Sequence, residues 1–382
     1  VDCEIALTGG QVIDPDAGEI FDADVAIDAG RVTAVVRERG RLNAGQAVDV
    51  AGCYVCPGLI DCHVHVFQHV SPGSLDPDRI GIRQGVCAVV DAGSFGPRNA
   101  AGFGEYIVKR ATTHVYGLVN ISRLGNSTNP GEGEVLGFLN PTEVVRACAT
   151  AGDWLVGVKV RASNTAAGQL GAMSTRLAKQ AAAEAGRPLM VHIGNAPPTL
   201  EEVCAVLTAG DIITHCFHGK VGGIVTAQGA LRPAVAAALE RGVLLDIGHG
   251  SASFAWQTAE RALALGYPPH SISTDLHRGC IDGPTYSQVK TMSKLLHLGM
   301  DLIAVVRASS PTPARALGLG DRYGRIRAGV PANLSVIALV DRTETMWDVE
   351  KQSRAVRGVI EARYTVLDGK VYTADPDATA PR

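Results

Sequence analysis

In the run CPGLIDCHVHVF, His63 and His65 follow the apolar stretch Gly58-Leu59-Ile60 and are separated by one residue. Side chains two apart on a strand project to the same side, so two imidazoles placed this way can approach one ion together. His192 and His215 close the apolar segments PLMV and DIIT, and Asp275 closes SIST. Taken singly, each histidine reads as a hydrogen-bonded core residue, and a buried Asp needs hydrogen bonds or a cation to offset its desolvation. Taken together at equivalent strand ends, four histidines and one carboxylate make a divalent metal the simpler account. Nitrogen and oxygen ligands suit zinc first, for hydrolysis, and also manganese, iron or cobalt.

Lys159 is the odd member of the set. In VGVKVRA its strand phase and apolar neighbours point the ammonium inward, which is costly unless it is paired or chemically altered. A salt bridge is the bland reading. Beside cations a free ammonium is repelled, whereas carboxylation of the amine by CO2 or bicarbonate creates an anionic oxygen ligand able to bridge two ions.

These groups need strands to carry them. Apolar segments at 56–63, 86–93, 115–121, 154–160, 188–194, 211–216, 243–250 and 271–277 alternate with helical stretches, the rhythm of parallel β/α architecture. Helix starts are marked by Asn140, Pro141 and Glu143 and by the Thr199/Glu202 capping-box spacing, and Gly186 and Gly210 stand where helices can end. Eight strands predict an α/β fold, a (β/α)8 TIM-like barrel over 56–322 with its chemistry at the carboxyl ends of the strands. An open dinucleotide-binding sheet is disfavoured, because DCHVHVF stands where Gly-x-Gly-x-x-Gly would follow the first strand. Hairpin-like strands at 1–55 and 323–382 predict a small β-sandwich-like domain assembled from both chain ends.

The 382 residues are 46% hydrophobic, enough for a large core. Lys plus Arg number 35 against 38 Asp plus Glu, which offers no polycationic surface for nucleic acid. Short, interrupted apolar runs and an amino terminus without a basic and apolar leader predict a cytoplasmic enzyme with no membrane partner. Nine scattered cysteines read as buried thiols, and Cys53, Cys56 and Cys62 lack the second pair of a structural zinc site.

Arg161 follows Lys159 by two positions and is the first candidate to hold a substrate carboxylate, with Arg307 the weaker one. Asn195, His218, His249 and His277 lie just beyond strand ends, where they could donate to an oxyanion or position a substrate; His69 sits in the first loop. Loops 93–99 and 125–134 are candidates to rim or cover a pocket. No Gly-x-Ser-x-Gly elbow supports a serine hydrolase.

With these residues assembled, the chain resembles the amidohydrolase superfamily over essentially its whole length, and specifically its binuclear members with a carboxylated lysine. The passages PGLIDCHVHVF, DAGSFGP, NISRLG, VGVKVRAS, PLMVHIG, THCFHG, DIGHG and ISTDLH through MSKLLHLGM are similar to a deacetylase-like branch related to dihydroorotases, which includes enzymes hydrolysing acetyl-(R)-mandelate. The resemblance implies two divalent metals, with His63, His65 and Asp275 serving one, His192 and His215 the other, and Lys159 both. It also implies that Asp275 takes the proton of a metal-bridging hydroxide as general base and returns it as acid. The expected reaction is hydrolysis of an amide or ester in a small acylated compound, such as an N-acyl amino acid or an O-acetyl α-hydroxy acid, by a homo-oligomeric enzyme. A cyclic-amide hydrolase is the closest alternative, followed by a deaminase or a noncatalytic metal-binding protein. Phe67 stands where a dihydroorotase would carry Arg, and Asn164 where a hydantoinase would favour Tyr.

Overall fold

The computed structural model describes residues 1–128 and 131–375; residues 129–130 of the 125–134 loop, and 376–382 at the end of the carboxyl-terminal β segment, lie outside the described residues. Seven parallel strands hydrogen-bond in chain order: Leu59–Val64, Val86–Ala92, His114–Asn120, Leu155–Ala162, Leu189–Ile193, Ile212–Thr214 and Leu244–Asp246. The fold is α/β, a (β/α)8 barrel whose eighth member departs from the predicted strand over 271–277. Parallel bridges join Asp246 to Ser271 on one side and Leu276 to Val64 on the other, closing the ring without a regular strand. The physical reason lies at Asp275, whose φ of 52° is incompatible with a continuous pleat.

Alternation along the strands sorts the side chains. In the fourth barrel strand Val158 and Val160 pack outward with Ala178, Ala181 and Ala182 of helix Gly171–Ala185, while Lys159 and Arg161 line a cavity at the open end. Helix Pro141–Thr150 begins as expected, with the Asn140 side chain accepting from the Glu143 N–H at 3.1 Å. Thr199 and Glu202 form the reciprocal capping box of helix Leu200–Cys204. Gly186 caps Gly171–Ala185 in the left-handed conformation, whereas Gly210 lies beyond a helix end, in the turn before Ile212.

Strands from both chain ends share one six-stranded sheet, in the order Lys370–Thr373, Ser353–Leu367, Leu334–Trp347, Tyr54–Pro57, Gln11–Asp14, Glu19–Asp22. A four-stranded sheet of amino-terminal segments packs with it around Leu7, Val25, Val55, Leu334 and Val366. All nine cysteines are free thiols, seven of them buried. Among the described residues no helix is long and apolar enough to cross a membrane.

Candidate metal centre and active site

A cavity of about 410 Å³ opens at the carboxyl ends of the barrel strands. His63, His65, Lys159, His192 and Asp275 line it, and His215 stands directly behind His192, its Nε2 2.8 Å from His192 Nδ1. Asp275 Oδ1 lies 3.0 Å from His65 Nε2 and 3.3 Å from His63 Nε2, and Lys159 Nζ lies 3.2 Å from His63 Nε2. Ligand atoms of His63, His65 and Asp275 all fall within 4.8 Å of one another. The six sequence-predicted metal ligands are therefore brought together by topology.

The far side of each ring is held by a partner. Thr214 Oγ1 donates to Asp246 Oδ2 at 2.6 Å, so the same oxygen accepts from His63 Nδ1 at 2.8 Å. That places the His63 proton on Nδ1 and leaves Nε2 facing the cavity as a lone pair. The Gly248 carbonyl can only accept, and it lies 2.6 Å from His215 Nδ1, which fixes the same tautomer there. His65 Nδ1 rests on Ser94 Oγ at 2.8 Å. Outer hydrogen bonds of this kind orient metal-binding imidazoles, so the donor set fits divalent ions of the class that the sequence indicated.

Electrostatics point the same way. Burial holds His192 and His215 well below the usual histidine range and lowers His65, so the rings present lone pairs at neutral pH. Burial alone would raise Asp275, but His63 and His65 hold its carboxyl well below the ordinary carboxylate range. Burial lowers the Lys159 ammonium to about 8, with no carboxylate at ion-pair distance from Nζ among the described residues.

Local backbone makes these approaches possible. His215 and Asp275 both adopt positive φ, 70° and 52°, a strained conformation for residues with side chains. Gly250 packs so tightly that a Cβ there would come within 2.3 Å of Asp275 Oδ2. A Cβ on Gly248 would meet Thr214 Oγ1 at 2.3 Å and His215 Nδ1 at 2.8 Å.

The substrate candidates separate into two groups. Arg161, Asn195 and His277 line the cavity, with Arg161 also bonded to Glu132 Oε1 at 3.0 Å and His277 Nδ1 2.7 Å from the Asp275 carbonyl. His249 and His218 are buried outside the cavity lining. His249 Nε2 meets Lys294 Nζ at 2.7 Å while its ring stacks on Phe254, and His218 Nδ1 accepts from the Lys220 N–H at 3.1 Å. Both follow strand ends, but the backbone turns their rings toward the loop packing behind the mouth. Arg307 binds the Pro15 carbonyl on the outside of the barrel, and His69 is exposed.

Gly93 to Gly96 of the 93–99 loop are buried, and Phe95 stacks on Phe103 at 4.4 Å, so this segment is packed core. Phe67 is likewise buried, edge-on to Phe103.

Sequence reasoning missed the carboxylates beneath the ligands. Asp246 accepts from Thr214, Ser271 and Ser273, and Asp61 accepts from the Thr274 hydroxyl and N–H. Asp91 accepts from the N–H groups of Val66 and Ser94. Each sits on a barrel strand in an otherwise apolar run, the signal that identified Asp275. Lys220, also overlooked, lines the cavity from the loop after His215.

Comparison with known proteins adds an independent line. A model of the amidohydrolase family matches residues 54–371. A deacetylase of Enterococcus faecalis is 34% identical over 377 residues, covering 97% of this chain and 100% of that protein. A deacetylase of Agrobacterium fabrum is 34% identical over 331 residues, covering 86% of this chain and 81% of the other. Among solved structures, an adenine deaminase superposes with a TM-score of 0.91 at 34% identity, covering 97% of this chain and 100% of that one. A dihydroorotase gives 0.89 at 32%, covering 97% and 98%.

Proposed function

Because the chain belongs to the amidohydrolase family and is a metal-dependent hydrolase, we propose that it is a binuclear deacetylase-type enzyme cleaving the amide or ester bond of a small acylated compound. N-acyl amino acids and O-acetyl α-hydroxy acids are the substrate classes proposed. The observation that carries this reading is the convergence of His63 Nε2, His65 Nε2, Lys159 Nζ and Asp275 Oδ1 on one position while outer partners hold the His63 and His65 rings.

In this reading His63, His65 and Asp275 would hold one ion and His192 and His215 the other, and Lys159, carboxylated on Nζ by CO2 or bicarbonate, would add an anionic oxygen ligand to both. Zinc is the first choice, with manganese, cobalt and iron also suited to these donors. Bound divalent ions supply Lewis acidity to water and to the scissile carbonyl. Asp275 receives the attacking water's proton on its carboxylate and returns it to the departing nitrogen or oxygen. Its contacts with two imidazoles keep that carboxylate ionised and aimed. Asn195 and His277 are the cavity residues proposed to touch substrate, while Arg161, the first sequence candidate for that role, lines the same cavity with its guanidinium on Glu132.

Cyclic-amide hydrolysis remains the second reading, favoured by the likeness to the dihydroorotase structure. Against it, Phe67 lies in the core against Phe103, so no cation replaces the expected Arg at that position. Nine unpaired thiols support work in a reducing cytoplasm.

The test is metal analysis followed by assay of acetylated hydroxy acids, N-acyl amino acids and cyclic amides. Acyl release is the expected activity; ring opening alone would favour the second reading, and release of ammonia from a heteroaromatic base would replace both.

A further inference from the structure

Two lysine or arginine side chains besides Lys159 line the cavity, Arg161 and Lys220, and they differ in what they already hold. Arg161 stands one residue before the end of the fourth barrel strand with its guanidinium on Glu132, whose carboxylate is 2% exposed. That pairing neutralises the arginine and ties the 131–134 segment to the strand end. Lys220 has no acceptor and no carboxylate at bonding distance from Nζ among the described residues. Its backbone, by contrast, is fixed. The N–H donates to His218 Nδ1 at 3.1 Å, and the carbonyl accepts from the Gly223 N–H at 3.3 Å. A half-buried ammonium held beside the cavity, which feels the Asp275 carboxylate only at longer range, is a preformed anion site, because an arriving carboxylate regains the interaction that burial removed.

We infer that Lys220 holds the anionic group of the substrate, a carboxylate on the acylated compound, while Arg161 acts as a strut on Glu132. This rests on the hydrolase reading above and assigns its specificity. Asn195, Thr165 and Ser251 line the same cavity and offer uncharged polar groups to the remainder of the molecule. A carboxylate drawn to Arg161 would have to compete with Glu132; one drawn to Lys220 meets no carboxylate at bonding distance among the described residues.

The experiment uses the full, metal-loaded chain and a matched pair of substrates, an acetylated hydroxy acid and the same compound with its carboxylate converted to a carboxamide. Lys220→Gln is expected to raise KM for the carboxylate compound about 10- to 100-fold, the range of one charge-assisted hydrogen bond. The carboxamide should be unaffected and kcat nearly constant, and Lys220→Arg should restore part of the loss. In parallel, calorimetry on the deacylated hydroxy acid and its amide reads binding without turnover. If the wild-type protein cleaves neither compound, the hydrolase reading fails, while a weakened carboxylate affinity in Lys220→Gln still upholds the anion site. Unchanged carboxylate affinity in Lys220→Gln, equal losses on acid and amide, or a loss confined to Arg161→Gln would each overturn the assignment.

Discussion

His192 Nδ1 and His215 Nε2 face each other at 2.8 Å, and the Gly248 carbonyl claims the other ring nitrogen of His215. Two imidazoles directed at one position, beside the separate group of His63, His65 and Asp275, are the basis of the proposed two-ion stoichiometry. Protein prepared without chelator is expected to hold two divalent ions per chain by elemental analysis, and His192→Ala about one. Chelation should abolish activity and added zinc or manganese should restore it. A fully active protein with a single ion would remove Lys159 from a bridging role.

Lys159 Nζ stands 3.2 Å from His63 Nε2 in a fully buried position. Lys159→Ala is expected to lower metal occupancy and to reduce activity on the order of 10²-fold or more, with partial rescue by a short carboxylic acid. Carbon-13 bicarbonate should give a carbamate resonance in the wild-type protein that Lys159→Ala lacks. An unmodified amine in fully loaded, active protein contradicts the carbamate.

Asp275→Asn keeps an oxygen near His65 but loses the basic carboxylate. A rate loss of about 10²- to 10⁴-fold is expected while two-metal occupancy survives. Metal content must be measured alongside kcat and kcat/KM across pH, since loss of an ion would mimic loss of the base. Near-wild-type turnover in the loaded variant would assign proton transfer to another group.

Asp246 binds the hydroxyls of Thr214, Ser271 and Ser273 and, through Thr214, fixes the His63 ring. Asp246→Asn should weaken metal affinity about 10- to 100-fold without removing a ligand. Competition with a chelator of known affinity reads this directly, and unchanged affinity would show that His63 needs no such support.

Lys294 is fully buried, bonded to His249 Nε2 and to the Pro284 and Trp347 carbonyls. Burial lowers its pKa to about 7, against an ordinary value of 10.5. Between those two values the unfolded chain binds the proton and the folded chain does not, so this residue makes stability rise as pH increases from about 7 toward 10. Below about 7 both states are protonated and the contribution is constant at its least favourable. Urea denaturation at several pH values should show that slope in the wild-type protein and a flatter one in Lys294→Met; identical slopes would mean that the ammonium stays charged in the fold.

The candidate ligands were legible because strand periodicity is local. His63 and His65 share a face by spacing alone, and Lys159 points away from Val158 and Val160 for the same reason. His192, His215 and Asp275 each close an apolar run, which locates a strand end without knowledge of its neighbours. The eighth strand was over-read because its sequence alternates well, and nothing in that alternation reports the positive φ that turns Asp275 inward.

Loop side chains follow a different logic. His249 and Lys220 both sit shortly after strand ends, yet one is drawn into contact with Lys294, 45 positions away, and the other is left facing the cavity. Thr214 meets His63 across 151 positions, and Arg161 finds Glu132 in a preceding loop. The sequence by itself determined the barrel, its strand ends and the donor types gathered there, because these depend on short-range periodicity and on the cost of burying charge. Only the tertiary structure decided which ring nitrogen faces the cavity and which cation is already paired with a carboxylate, because those outcomes depend on hydrogen-bond partners brought together by closure of the ring.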